Sequence, residues 1–305
     1  MLTERKVKLP NSIELNVKYS DSNKPVLLFL HFSGGTLNMW DGILHMFNEE
    51  YRVIAPDFRG HGKSDKPLTG YHVDDFAHDL YLLLQALDVQ SCHVVGSSMG
   101  AEIGLSLAAS HPDMVKSIVC EGALYNEFGE YGIFNGTAEE IAVEKERQRE
   151  KLMERRMPEH HSLSAYLAEV KEPVERMGIL NEHFLSYLES TAEELDDGTV
   201  TSHYRNHVRM EYMEKYWDLQ FEEYYKKIKC PVLFMPSEEE YADEKIRRSL
   251  DAFSKLVDSH EIIKIEGSMH AYVWMQLPEQ AGLAVKEFLG RVVEHEGVAE
   301  SSGHL

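Results

Sequence analysis

The chain has 305 residues, 43% of them hydrophobic and 10% aromatic, a globular composition that is neither disordered nor membrane-spanning. Its 52 Asp and Glu against 31 Lys and Arg leave a formal charge of −21, which repels phosphate backbones and anionic lipid and so argues against nucleic-acid partners. No stretch approaches the roughly 20 apolar residues of a membrane helix, and Met1-Leu2-Thr3-Glu4-Arg5-Lys6-Val7-Lys8 lacks the apolar core of a signal peptide; a cytoplasmic location without membrane insertion is expected.

In chain order, residues 13–19 alternate apolar and polar side chains, as a half-buried strand does. Residues 25–31 and 51–57 are short continuous apolar runs, as in strands covered on both faces. Between 73 and 87, Phe76, Leu80, Leu83, Leu84 and Leu87 form a helical stripe. A strand at 92–96, a helix at 101–109 and a strand at 115–120 follow. Such alternation predicts an α/β fold with a mostly parallel sheet flanked by helices. From 124 to 225 no strand is expected; 137–156, 162–170, 182–188 and 203–216 read as helices. Alternation resumes with a strand at 231–236, a helix at 243–256, a strand at 261–265 and a helix at 278–294. The domain reading is therefore a core from 1–122 and 226–305, interrupted by a helical lid at 123–225. Residues 297–305, small and polar, read as a flexible tail. Cys92, Cys120 and Cys230 are too few and too far apart for a disulfide framework or a metal site, and neither a cofactor nor a metal is expected.

The most informative segment is Gly96-Ser97-Ser98-Met99-Gly100, a G-x-S-x-G pattern where a strand ends and a helix begins. A residue at that turn is held in a strained backbone with its side chain raised above the sheet, and the helix N-terminus faces any negative charge beside it. Ser98 is thus the candidate nucleophile. A serine hydroxyl needs a base. Among 16 histidines, His270 follows the last strand and so lies at the same carboxyl edge of the sheet as Ser98. His61, in the glycine-rich Arg59-Gly60-His61-Gly62, is a competitor. The acid that orients the base is ambiguous: Glu240, in the run 238–240 after a strand, is favoured, and Glu121, also after a strand, is the alternative. Oxyanion donors are expected from the Met99 N–H and from the turn His31-Phe32-Ser33-Gly34-Gly35.

Together these segments resemble the α/β-hydrolase superfamily, in its serine-nucleophile branch. The segment from His31 to Trp40 is similar to the family's oxyanion loop; Asp57-Phe58-Arg59-Gly60-His61-Gly62-Lys63-Ser64 to its D-x-R-G-x-G-x-S segment; Gly96 to Gly100 to its nucleophile elbow; Pro231 to Glu240 to its acid-bearing strand and loop; and Gly267 to His270 to its histidine loop. The resemblance implies the α/β-hydrolase fold with an all-helical lid inserted after the sixth strand. It implies Ser98 as nucleophile, His270 as base, Glu240 as acid, and Ser33 with Met99 as oxyanion donors. Two departures stand out: Phe32 replaces the family's usual glycine, and Ser237 and Glu240 replace its usual glycine and aspartate.

The function expected is cleavage of a small, hydrophobic carboxylic ester or lactone through an acyl-enzyme. Two alternatives stay open. One is carbon–carbon bond hydrolysis or acyl transfer with the same triad, for which Arg205 and Arg209 could bind a second carboxylate. The other is a non-catalytic ligand sensor that signals to a protein partner. The lid's tyrosines, among them Tyr125, Tyr204, Tyr212 and Tyr216, are candidates to line a pocket over Ser98.

Overall fold

The computed structural model describes residues 2–302, with side chains up to residue 293. Its strands and helices fall in the order β1 (Leu2–Lys8), β2 (Glu14–Ser20), β3 (Val26–Leu30), β4 (Arg52–Pro56), α1 (Val73–Ala86), β5 (Cys92–Ser97), α2 (Met99–Ser110) and β6 (Val115–Glu121). A middle block holds β7 (Asn126–Phe128), β8 (Gly132–Phe134), α3 (Ala138–Met153), α4 (Leu163–Arg176), α5 (Glu182–Ser190), β9 (Ala192–Glu194), β10 (Val200–Ser202), α6 (Asn206–Tyr216) and α7 (Phe221–Tyr225). The chain closes with β11 (Val232–Phe234), α8 (Glu238–Ala242), α9 (Glu244–Ser254), β12 (His260–Ile262), α10 (Val273–Gln276) and α11 (Pro278–Ser302).

Eight strands form one sheet in the order β1-β2-β4-β3-β5-β6-β11-β12. The pairs β1–β2 and β2–β4 are antiparallel, and every pair from β4 to β12 is parallel. The central strands are buried on both faces, which is why they read as unbroken apolar runs. Alternate residues of β3 feed two cores: Leu28 and Leu30 pack with α1 and α2, whereas Leu27 and Phe29 pack with Trp40, Trp274 and α11. Helix α1 starts at a reciprocal cap between His72 and Asp75 and buries Phe76, Leu80, Leu83 and Leu84, the stripe expected from sequence.

Three details differ from the sequence reading. Strand β1 was not expected: only Leu2 and Val7 of its residues are even partly buried, so its hydrophobic pattern is faint and its order comes from pairing along β2. The middle block is not all-helical. It carries two small two-stranded sheets, β7–β8 and β9–β10, whose strands of three residues are too short to show a period of two. Finally, α11 continues through the first part of the expected tail as far as Ser302, and 303–305 lie outside the described residues. Among the described residues no helix is long and apolar enough to cross a membrane.

The middle block begins after β6, the sixth strand, and the chain returns to the sheet at β11, the neighbour of β6. Helix α3 buries none of its residues and is held at its start by a reciprocal Thr137–Glu140 cap, in keeping with its highly charged sequence.

Candidate active site

The site sits at the carboxyl edge of the parallel strands, where loops after β3, β5, β6, β11 and β12 converge. Ser98 forms the turn between β5 and α2. Its φ of 50° and ψ of −118° lie in a region that non-glycine residues rarely adopt. The turn is this tight because α2 leaves the strand end at once, and the flanking glycines permit it. A Cβ on Gly100 would stand 2.1 Å from the Leu30 carbonyl oxygen, and one on Gly96 2.5 Å from the Ala101 Cα. The Ser98 N–H donates to the Glu121 carbonyl, which ties the turn to the end of β6.

His270 Nε2 lies 3.0 Å from Ser98 Oγ. On its other side, Nδ1 is 2.9 Å from Glu240 Oε1 and 3.3 Å from Glu121 Oε1. The structure thus brings Ser98, His270 and both candidate acids to one place. Glu240, in the first turn of α8, forms a reciprocal cap with Ser237: its Oε2 accepts the Ser237 N–H at 2.8 Å, and the Ser237 hydroxyl accepts the Glu240 N–H. Serine at position 237 therefore supplies the cap that orients the glutamate. Glu121 is 1% exposed and saturated with donors: Ala271 N–H at 2.8 Å, Trp274 Nε1 at 3.1 Å and Ser97 Oγ at 2.6 Å. It fastens the strand before Ser98 to the loop that carries His270.

The charges follow from this packing. Burial works against a charged imidazole, but Glu121 and Glu240 outweigh it and hold His270 well above its ordinary 6.5. The His270 side chain is 40% exposed, so water screens part of that pull. Burial alone would raise Glu240, yet its bonds to His270 and the Ser237 backbone keep it below 4.5. Ligand atoms of Glu121, Glu240 and His270 lie within 4.8 Å of one another, the one grouping among the described residues with the spacing to hold a metal ion. Each of the three is already engaged with a protein partner, which is the arrangement of an oriented base.

Ser33 lies in the turn after β3, and Met99 opens α2. Neither N–H donates a hydrogen bond within the described residues. Phe32 is not among the residues with positive φ, so its position does not require glycine. Its ring packs against Tyr187 and Tyr272. The Ser33 hydroxyl meets Tyr204 Oη at 2.7 Å. His31 and Asp57 brace this loop from below. His31 Nε2 accepts from the Phe58 N–H, and burial lowers the ring to about 3 so that it stays neutral. Asp57 accepts from Leu37 N–H, Asn16 Nδ2 and Lys63 N–H.

The competitor His61 is not brought to Ser98. It is buried beside His31 and His203 and stacks on Tyr204 at 4.8 Å, and burial lowers it well below 6.5. Arg205 pairs with Glu193 at 3.0 Å, and neither it nor Arg209 borders the cavity at Ser98. That cavity, about 30 Å³, is lined by Ser98, His270, Glu240, Glu102, Tyr125, Tyr216 and Phe221 among others, so the middle block supplies part of its wall. Sequence reading missed Glu102. Its signal was present: it is the one charged residue in α2, whose other positions through Ala108 are buried, small or apolar.

Comparison with known proteins places these observations in a family. Residues 25–235 match the family model described as alpha/beta hydrolase fold. A 2-(acetamidomethylene)succinate hydrolase of Mesorhizobium japonicum is 37% identical over 107 residues, which is 35% of this chain and 38% of that protein. A 3-oxoadipate enol-lactonase of Acinetobacter baylyi is 32% identical over 101 residues, 33% of this chain and 38% of that protein. The alignments with these curated relatives thus span well under half of their length. Among solved structures, that of an E-2-(acetamidomethylene)succinate hydrolase superposes with a TM-score of 0.75 over 95% of this chain and 100% of the other, at 24% identity. The thioesterase domain from the curacin biosynthetic pathway gives a TM-score of 0.72 over 94% and 99%, at 19% identity. These two likenesses are of fold.

Proposed function

This chain belongs to the α/β-hydrolase fold family, and on that premise we propose that it is a serine hydrolase cleaving a small carboxylic ester or lactone through an acyl-enzyme. The observation that carries the reading is the line from Ser98 Oγ through the His270 ring to Glu240, at 3.0 and 2.9 Å. His270 takes the Ser98 proton as Oγ attacks the substrate carbonyl carbon, so its Nε2 must be neutral at that moment. Glu240, as the acid, holds the tautomer with the proton on Nδ1 and stabilises the imidazolium formed. The Ser33 and Met99 N–H groups bond the oxyanion of the tetrahedral intermediate. His270 then protonates the departing alkoxide, leaving Ser98 acylated, and later takes a proton from the water that attacks the ester carbon and returns it to Ser98 Oγ as the carboxylic acid leaves. The block at 123–225 acts as the lid: Tyr125, Tyr216 and Phe221 from it wall the cavity and keep bulk water from the acyl-enzyme. Relatives named as hydrolases of an acetamidomethylene succinate and of an enol-lactone support the same class of chemistry.

Labelling with a fluorophosphonate probe, followed by a panel of p-nitrophenyl esters of increasing acyl length, tests the proposal. Covalent capture at Ser98 and ester turnover that Ser98→Ala abolishes are expected. A folded protein that neither labels at Ser98 nor turns over any ester overturns it.

A further inference from the structure

We propose that Glu102, with the phenols of Tyr125 and Tyr216, forms a subsite beside Ser98 that takes the ammonium group of an amine-bearing substrate. The proposal rests on the serine-hydrolase reading and assigns its substrate class.

Glu102 lies in the first turn of α2, four residues after Ser98, and both side chains border one cavity. Glu102 is 6% exposed. Its Oε2 accepts from Tyr212 Oη at 2.7 Å, whereas Oε1 has no hydrogen-bond partner among the described residues. Tyr125 and Tyr216 also line the cavity, and neither phenol makes a hydrogen bond among the described residues. Oε1 is not among the fully buried atoms without a partner; it opens on the cavity, where a ligand that donates to it would make a charge-assisted hydrogen bond. No lysine or arginine borders the space to do so; its one basic side chain is His270, already held between Glu121 and Glu240.

The chemistry of the wall selects the ligand. Glu102 and Glu240 are both acidic, and Tyr125, Tyr216 and Phe221 add aromatic rings. A carboxylate and aromatic rings together suit an ammonium group, by charge and by cation–π attraction. A substrate carboxylate would instead face Glu102 and Glu240, with only His270, already paired to Glu240, to offset them. A volume of about 30 Å³ has room for a group the size of one water molecule, which an ammonium head is. Burial has also pushed Glu102 up to about 7, against the Tyr212 hydrogen bond and the charge of His270, which offset it only in part; an ammonium ligand adds a nearer counter-charge.

Binding can be read without turnover. Calorimetry at pH 8 compares n-butylammonium with butyrate on the wild-type protein, on Glu102→Gln and on Glu102→Asp, each checked for folding by thermal melting. The wild type is expected to bind butylammonium about tenfold or more tighter than butyrate. Glu102→Gln keeps the shape and the Tyr212 contact but loses the preference, and Glu102→Asp retains most of it. Equal affinities in the wild type, or a preference that survives in Glu102→Gln, overturn the proposal. Because no ester is cleaved in these measurements, their outcome is separate from that of Ser98 labelling. A chain that discriminates the amine but never labels at Ser98 keeps this subsite and loses the hydrolase reading.

Discussion

Glu121 and Glu240 converge on the same nitrogen of His270, at 3.3 and 2.9 Å, the first from the end of β6 and the second from α8, which follows the neighbouring strand β11. They are not equivalent. Glu240 gives one oxygen to the imidazole and the other to its own helix start. Glu121 spends its lone pairs on Ser97, Ala271 and Trp274 and faces the imidazole only at longer range. The shorter contact fits the acid that orients the base; the saturated one fits a positioning residue that joins the two halves of the site.

Substitution should separate the two roles. Glu240→Gln is expected to lower kcat by about 10²- to 10⁴-fold with a small change in melting temperature. Glu121→Ala should do the reverse in emphasis: it leaves the Ser97, Ala271 and Trp274 donors buried without an acceptor, each worth about 1–3 kcal/mol. Ester kinetics and thermal melts on the two variants check this. A Glu121→Ala protein as stable as the parent would remove its assigned role.

The raised imidazole sets the pH dependence. A general base works when neutral, so kcat/KM should climb with pH through an apparent pKa above the ordinary 6.5 of histidine. The charge of Glu121 contributes to that rise. Glu121→Gln should therefore move this acid-side climb toward lower pH, toward the ordinary value. A pH–rate profile of both proteins decides the matter; an unchanged midpoint would assign the shift to Glu240 alone.

Glu102 should leave a mark on stability as well. Its carboxyl goes from 4.5 in the unfolded chain to about 7 when buried, so between those values the folded state holds more protons than the unfolded one. Stability then falls as pH rises through this window, by roughly 3 kcal/mol at most. Glu102→Gln, which cannot ionise, should lose that decline: its melting temperature relative to the parent is expected to be higher at pH 8 than at pH 5. Melts in matched buffers without amines measure it.

The strained turn ranks two substitutions by stability. At φ 50° and ψ −118°, Ser98 occupies backbone space that suits glycine. Ser98→Ala and Ser98→Gly remove the same hydroxyl, but only glycine relieves the backbone. Ser98→Gly should thus be more stable than Ser98→Ala by about 1 kcal/mol, the strained φ adding to the ordinary preference for glycine over alanine at a helix N-cap. Urea unfolding of the two inactive variants is the measurement.

Much of the architecture was legible in the sequence because its signals are local. The apolar runs at 25–31 and 92–96 become β3 and β5, and the stripe from Phe76 to Leu84 is the buried face of α1. Turns such as Gly96 to Gly100 show themselves because only small residues tolerate a backbone that close. What escaped was order that comes from pairing. Strand β1 has almost no buried side of its own, and β7 to β10 are three residues each, so they exist because neighbours supply their hydrogen bonds.

For the candidate site the division is similar. The sequence by itself singled out Ser98, His270, Met99 and the turn from His31 to Gly35, since each sits in a short segment where a strand ends in a loop; Ser33 within that turn came from the family resemblance. It favoured Glu240 but kept Glu121 as the alternative, because two carboxylates that follow two strands look alike until the strands are laid side by side. Only the tertiary structure, by pairing β6 with β11, set both beside one imidazole and showed how differently their lone pairs are spent. It alone also gave Glu102 its meaning. A glutamate in an apolar helix is an oddity in the sequence. It becomes a subsite when the fold closes Tyr212, Tyr216 and Tyr125 around it, because what a buried charge does depends on partners that are distant along the chain and near only in space.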